Sequence, residues 1–180
     1  MQMEERTLAE GCRNGDGAAQ RELYDRYAGR LLAVCLRYAG DRATAEDLLH
    51  DAFLKIYGAF SKFEYRGAGS LRAWMERVTV NVALEWLRTR NRLGCVELDE
   101  GRAAALPDEP SAEEASRVPR DVLMRFVSEL PDGYRAVFNL YCIEEYSHRE
   151  IAQMLGINEK SSSRSFSGRG RCWRGESATI

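Results

Sequence analysis

Between Asn91 and Arg120 the chain loses its hydrophobic periodicity, and that interruption limits what it can fold into. The stretch holds seven acidic residues, four basic residues and three prolines. It offers little that could form a buried stripe, and it reads as an acidic, mobile linker. On both sides apolar residues recur at helical spacing, while strand signals are weak. The expected fold is therefore all-α: two small helical domains joined by a flexible acidic linker. The boundaries fall at 1–92 for the first domain, 93–118 for the linker and 119–180 for the second domain.

In the first domain, residues 4–39 predict two helices broken near Gly15-Asp16-Gly17. Tyr24, Tyr27, Leu31, Val34 and Tyr38 form the apolar stripe of the second. A third helix runs from about Ala43 to Phe60, with Leu48, Leu49, Ala52, Phe53 and Ile56 inward. The loop Ser61 to Gly69 carries Phe63 and Tyr65. Ser70 can cap a long fourth helix that reaches about Arg92. Each residue advances a helix by about 100°. On that wheel Leu71, Met75, Val78, Val82, Trp86 and Leu93 form the core face. Trp74, Arg77, Asn81, Arg88 and Arg92 fall in a neighbouring arc roughly 60° wide. Arginine neutralises phosphate, asparagine reads a base edge and tryptophan offers a stacking face. Phe63, Tyr65 and Arg66 in the adjacent loop could hold unstacked bases. A solvated face with Trp74 partly buried gives the same pattern, so both readings stand on the wheel alone.

The second domain opens with Val122, Leu123, Phe126, Val127 and Leu130 on one helix. A turn at Leu130-Pro131-Asp132-Gly133 follows, then a helix from Tyr134 to Cys142 with Val137, Phe138 and Tyr141 inward. Next comes Ser147-His148-Arg149-Glu150-Ile151-Ala152-Gln153-Met154-Leu155-Gly156-Ile157-Asn158. Ser147 and Glu150 form a capping box. Ile151, Met154 and Leu155 make one apolar face, Gly156 suits a left-handed turn, and Asn158 can cap the next helix. This is the outline of a helix-turn-helix, whose second helix normally enters the DNA major groove. An ordinary helical hairpin would satisfy the same spacing.

Composition excludes several classes. Hydrophobic residues make up 44% of the chain and charged residues 30%, which suits a soluble, folded protein. No apolar run approaches a membrane span and the N-terminus has no signal-peptide core, so the expectation is a cytoplasmic protein without membrane insertion. The five cysteines are scattered and form no CxxC pair, which suits reduced thiols. A net charge of −2 argues against coating nucleic acid by bulk attraction. Asp47 and His50 at i, i+3, with Asp51 beside them, imitate half of a carboxylate-bridged metal site. The only other histidine is His148, and no second acid-x-x-His helix completes the shell, so no metal or other cofactor is expected. Nor is an enzyme: no nucleophile–base pair or phosphate-cradling glycine loop is present.

Several motifs occur in a telling order. Asp47-Leu48-Leu49-His50-Asp51-Ala52-Phe53-Leu54-Lys55-Ile56-Tyr57 precedes Ser70-Leu71-Arg72-Ala73-Trp74-Met75, then Asn81-Val82-Ala83-Leu84-Glu85-Trp86-Leu87-Arg88. Later comes Leu130-Pro131-Asp132-Gly133-Tyr134-Arg135-Ala136-Val137-Phe138, leading into the helix-turn-helix. Over most of residues 15–163 this resembles an extracytoplasmic-function (ECF) sigma factor of the sigma-70 family, the minimal kind with only the second and fourth conserved regions. The resemblance implies a transcription initiation factor that binds core RNA polymerase, directs it to promoter DNA and helps to melt it. Asp47, His50, Asp51 and Phe53 would dock on the polymerase, although family members often carry glutamine where His50 stands. Phe63, Tyr65, Arg66, Trp74, Arg77, Asn81 and Arg88 would read and melt the minus-ten element, trapping a flipped base. Ser147, Asn158, Lys160, Ser161, Ser162, Ser163 and Arg164 would read the minus-thirty-five element as duplex. The linker would thread toward the polymerase cleft. An anti-sigma factor that holds the chain inactive is a further partner the family makes plausible. The alternative is a stand-alone helix-turn-helix regulator that binds duplex DNA unaided, which would need neither the aromatic loop nor the basic helix face.

The end of the chain departs from the family. After Ser163 a recognition helix should continue with amphipathic, arginine-bearing turns. Instead the chain reads Arg164-Ser165-Phe166-Ser167-Gly168-Arg169-Gly170-Arg171-Cys172-Trp173-Arg174-Gly175. Each glycine weakens a helix by about 1 kcal/mol relative to alanine. Reading the same bases in a frame shifted at the last base of codon 164 permits Gln-Phe-Phe-Arg-Ala-Arg-Ala-Leu-Leu-Ala-Arg-Arg-Val-Ser-Asp-Tyr, an amphipathic basic helix. Residues 164–180 are therefore expected to be an out-of-frame tail.

Overall fold

The computed structural model describes residues 3–92 and 120–167, and among them there is no strand. The chain divides into two compact units, residues 1–85 and 86–180. The expected linker over 93–118 lies outside the described residues.

The first unit is built from α1 (Glu5–Arg13), α2 (Gly17–Ala39), α3 (Arg42–Ala59) and the greater part of α4 (Ser70–Arg92). Asp16 caps α2 by accepting from the Ala18 N–H at 2.9 Å, and Asp41 caps α3 by accepting from the Thr44 N–H at 2.9 Å. Gly40, at φ 81°, ends α2 in the left-handed conformation that glycine adopts without a side-chain clash. α2 packs along both α1 and α3, so its buried face is wider than one stripe: Ala19, Leu23, Leu31, Val34, Cys35 and Tyr38 are buried. Tyr24, expected inward, is 46% exposed, because Leu23 takes the central position. Every expected core residue of α3 is buried.

α4 departs from its wheel. Leu71, Met75 and Val82 are buried as expected, but Val78 and Trp86 are only half-buried. Thr79, Val80, Ala83, Leu84 and Leu87 fill the core instead. The buried arc widens because α4 meets two helices: Arg30 of α2 pairs with Glu76 at 3.4 Å, and Lys55 of α3 pairs with Glu85. The α4 start also differs from expectation. Ser70 does not cap it. The Ser70 Oγ accepts from the Arg66 N–H at 3.1 Å, while Glu5 of α1 accepts from the Gly69 and Leu71 N–H groups.

The second unit holds α5 (Arg120–Glu129), α6 (Asp132–Phe138), α7 (His148–Leu155) and α8 (Glu159–Ser167). The sequence reads 134–142 as one helix, but α6 gives way to a π-helical turn over Asn139–Ile143. That extra residue per turn changes the phase. Asn139 and Leu140 turn inward, and Phe138 and Tyr141 are left half-buried. Val127 is buried and Phe126, expected beside it, is 62% exposed. The capping box of Ser147 and Glu150 is formed, Gly156 sits at φ 68°, and the Asn158 Oδ1 accepts from the Lys160 N–H at 2.9 Å. Ile151 and Leu155 are buried, with Ala152 rather than Met154 completing the face.

Candidate nucleic-acid interface

The loop between α3 and α4 begins with a 3-10 turn, Phe60–Lys62, that buries Phe60 and Phe63. Their rings lie 6.2 Å apart, and both meet Trp74, at 5.2 and 4.8 Å between centroids. Contacts at these spacings fix ring orientation. Trp74 is half-buried, and Phe63 backs it rather than offering its own face. Gly67 and Gly69 carry the loop through φ 115° and 85°. The result is a cavity of about 490 Å³ lined by Lys62, Phe63, Glu64, Arg66, Ser70, Ala73, Trp74 and Arg77. Its lining combines three cations, Lys62, Arg66 and Arg77, with one acid, Glu64, and the aromatic rings of Phe63 and Trp74. Arg66 is exposed and pairs with Glu64 at 3.2 Å. Tyr65, expected to join Phe63, instead lines a separate cavity of about 350 Å³ with Arg6, Glu10 and Arg13.

Further along α4, Arg77 and Asn81 are exposed, and so is Arg88 near the end of the helix. The arc read from the wheel is a solvent-facing surface at these positions. A cavity with an indole wall and arginines at its mouth can take a planar, electron-rich group and the phosphate that follows it.

On α3 the expected partner face is only partly as read. Asp47, His50 and Asp51 are exposed, but Phe53 is 4% exposed and packs 4.7 Å from the Tyr24 ring. It holds the helix in place and cannot itself reach a partner. Leu54, which sequence reasoning left out of this face, is 58% exposed. Its spacing from Asp47, His50 and Asp51 (i+7, i+4 and i+3) places all four on one face, and that spacing was the available signal.

In the helix-turn-helix, Ser147 is occupied by its capping box. Its N–H and hydroxyl both donate to Glu150 Oε2, at 2.9 and 2.7 Å. These bonds hold the Glu150 carboxyl below its usual range, the hydroxyl bond first. Ser162 is fully buried, with its Oγ 3.1 Å from His148 Nδ1, so it cannot meet DNA as expected. The His148 ring in turn stacks on Tyr141, 4.4 Å away and nearly parallel. Asn158 and Lys160 are exposed, and Ser161 and Ser163 half-buried. The out-of-frame tail is expected over 164–180; its first residues, Arg164–Ser167, belong to the backbone of α8, while the Arg164 side chain and residues 168–180 lie outside the described residues.

A helical unit with an aromatic cleft and a basic helix face, followed by a separate helix-turn-helix, defines an all-α DNA-binding protein of transcription. Residues 23–93 match the family model for sigma-70 region 2, and residues 120–165 match that for sigma-70, region 4. Similar proteins include the ECF RNA polymerase sigma factor SigE of Mycolicibacterium smegmatis, 30% identical over 149 residues. That match covers 79% of this chain and 56% of the relative, so the chain spans little more than half of its length. SigM of Bacillus subtilis is 25% identical, covering 77% of this chain and 82% of SigM. The sigma-E factor of Escherichia coli is 26% identical, covering 86% and 84%. The chain belongs to the ECF sigma factors of the sigma-70 family. These relationships support promoter-directed transcription initiation and do not favour a stand-alone regulator. No helix among the described residues is long and apolar enough to cross a membrane.

Proposed function

We propose that this chain binds core RNA polymerase through the α3 face and opens promoter DNA by capturing a minus-ten base in the cavity beside Trp74. The observation that carries this reading is the cavity itself, with an indole wall and Arg66 and Arg77 at its mouth. Asn81 and Arg88 would continue the contact along α4. Flipping a base costs a few kcal/mol, which stacking at roughly 1–3 kcal/mol per base and phosphate contacts would offset. The Asp47, His50, Asp51 and Leu54 face combines acids with one apolar side chain, which suits a basic partner with an apolar pocket. An anti-sigma protein would block initiation by covering that same face.

The second unit would read duplex DNA through Lys160, Ser161, Ser163 and Arg164, with Ser147 and Asn158 setting the helix ends and Ser162 joining α8 to His148. The glycines after Ser167 oppose helix extension, so minus-thirty-five binding by this chain is weak and poorly selective. A gel shift with tight, sequence-selective binding of residues 119–180 to duplex DNA would overturn that expectation.

The test of the whole reading is run-off transcription with purified core RNA polymerase. It compares this chain with a variant carrying the restored C-terminal helix. Transcripts from a defined start with either protein establish the activity, and the difference between them measures the tail. No start site with either, on a library of promoters, returns the function to a duplex-binding regulator.

A further inference from the structure

The α3–α4 loop is held at both ends by α1, a helix outside the residues matched to the sigma-70 region 2 family model. At the start of the loop, the Arg13 guanidinium donates from Nε to the Phe60 carbonyl at 3.4 Å and from Nη2 to the Phe63 carbonyl. At its end, the two Glu5 carboxylate oxygens accept from the Gly69 N–H at 2.7 Å and the Leu71 N–H at 2.8 Å. The segment between has few bonds of its own: Arg66 N–H to Ser70 Oγ, Ser70 N–H to the Gly67 carbonyl, and the exposed Arg66–Glu64 pair. Two glycines at positive φ leave it few conformational restraints. α1 is itself fixed, with Leu8, Ala9 and Cys12 buried.

We infer that Glu5 and Arg13 are positioning residues for base capture: α1 sets the spacing between the two ends of the loop, and so the shape of the cavity beside Trp74. Neither side chain lines that cavity. Their effect is on which base fits, because a pocket discriminates between bases only when its groups are held in register. This rests on the reading of the cavity as the site of a flipped base.

The test uses the full chain bound to core polymerase and randomised single-stranded DNA oligonucleotides, sequenced after capture. The wild-type chain should enrich one base at one position. Arg13→Gln and the pair Glu5→Gln with Arg13→Gln should lower that preference, the pair by about tenfold, the scale of one well-placed base contact. Salt-dependent affinity for an oligonucleotide lacking the preferred base, affinity for core polymerase and the melting temperature should stay near wild type. An unchanged base preference in the double variant overturns the inference. So does a parallel fall in preference, polymerase affinity and melting temperature, which would make α1 only a structural support. If the wild-type chain enriches no base, the reading of the cavity fails, and this inference fails with it. Arg13→Gln alone keeps the α4 cap intact, so it still gives an answer if the double variant is too unstable to assay.

Discussion

At Gly11 an added methyl would lie 2.7 Å from the Ala19 Cβ, where α1 crosses α2. Neither carbon can rotate away, so the helices themselves must separate. Gly11→Ala is expected to destabilise the first unit by about 1–3 kcal/mol, measured by urea unfolding. At Gly29, mid-way along α2, an added methyl would meet nothing within 4 Å. Gly29→Ala should stabilise by roughly 0.5–1 kcal/mol in the same assay. The thiols, Cys12 and Cys35 buried and Cys142 half-buried, make a second test at this scale. Burial pushes Cys12 and Cys142 up to about 11 and Cys35 up to about 12, with the Asp16 charge adding to the shift at Cys12. A thiol raised above its unfolded value of 9.0 costs nothing below that value. As pH climbs through 9.0 toward 11, the unfolded chain ionises and the folded chain does not, so stability falls. Denaturant midpoints should therefore decline steadily from about pH 9 to about pH 11. A flat profile would show the thiols to be solvated.

Among the elements, α7 offers the sharpest test. Ser147→Ala removes the hydroxyl half of the capping box and is expected to cost about 1 kcal/mol. The loss should appear as faster amide exchange in α7 with little change in the first unit. Glu150 gives the same element a pH dependence. Its carboxyl is lowered in the folded state, so its contribution is present above the ordinary glutamate value of 4.5 and lost as pH falls through the depressed value. Exchange in α7 should rise as pH falls below 4.5, and Ser147→Ala should weaken that dependence without removing it, because the backbone N–H at position 147 still donates to Glu150. The two termini of α7 were legible because capping boxes and left-handed glycines are local chemistry. The long core face of α3 was legible because Leu48, Leu49, Ala52, Phe53 and Ile56 recur at helical spacing and all of them are buried. α2 and α4 were misread where a second packing partner widened the buried arc, which spacing alone does not reveal. The π-helical turn at Asn139–Ile143 was invisible for the same reason. Its phase shift is imposed by packing, and Asn139 has ordinary helical neighbours in sequence.

For the molecule as a whole, the candidate cavity was half legible. Trp74, Arg66 and Arg77 follow from the wheel and the loop, but Lys62, Glu64 and Ser70 come from the fold of the loop. Tyr65 lines a different cavity from Phe63, and sequence does not reveal this because a residue's side of a loop has no periodicity to read. Trp74→Ala should reduce open-complex formation by roughly 5- to 150-fold while leaving polymerase affinity unchanged, measured by permanganate footprinting of holoenzyme on promoter DNA. Leu54→Asp should do the reverse, lowering polymerase affinity at least tenfold with the minus-ten contact intact, measured by competition for core enzyme. The grip of α1 has a consequence beyond this chain. Glu5 and Arg13 hold peptide groups, not side chains, so the amino acids at positions 64, 65, 66 and 68 are free to be rewritten without loosening the anchorage. A lineage could exchange its vocabulary of promoters by changing those letters alone, and an engineer could graft foreign loops of equal length onto the same two posts.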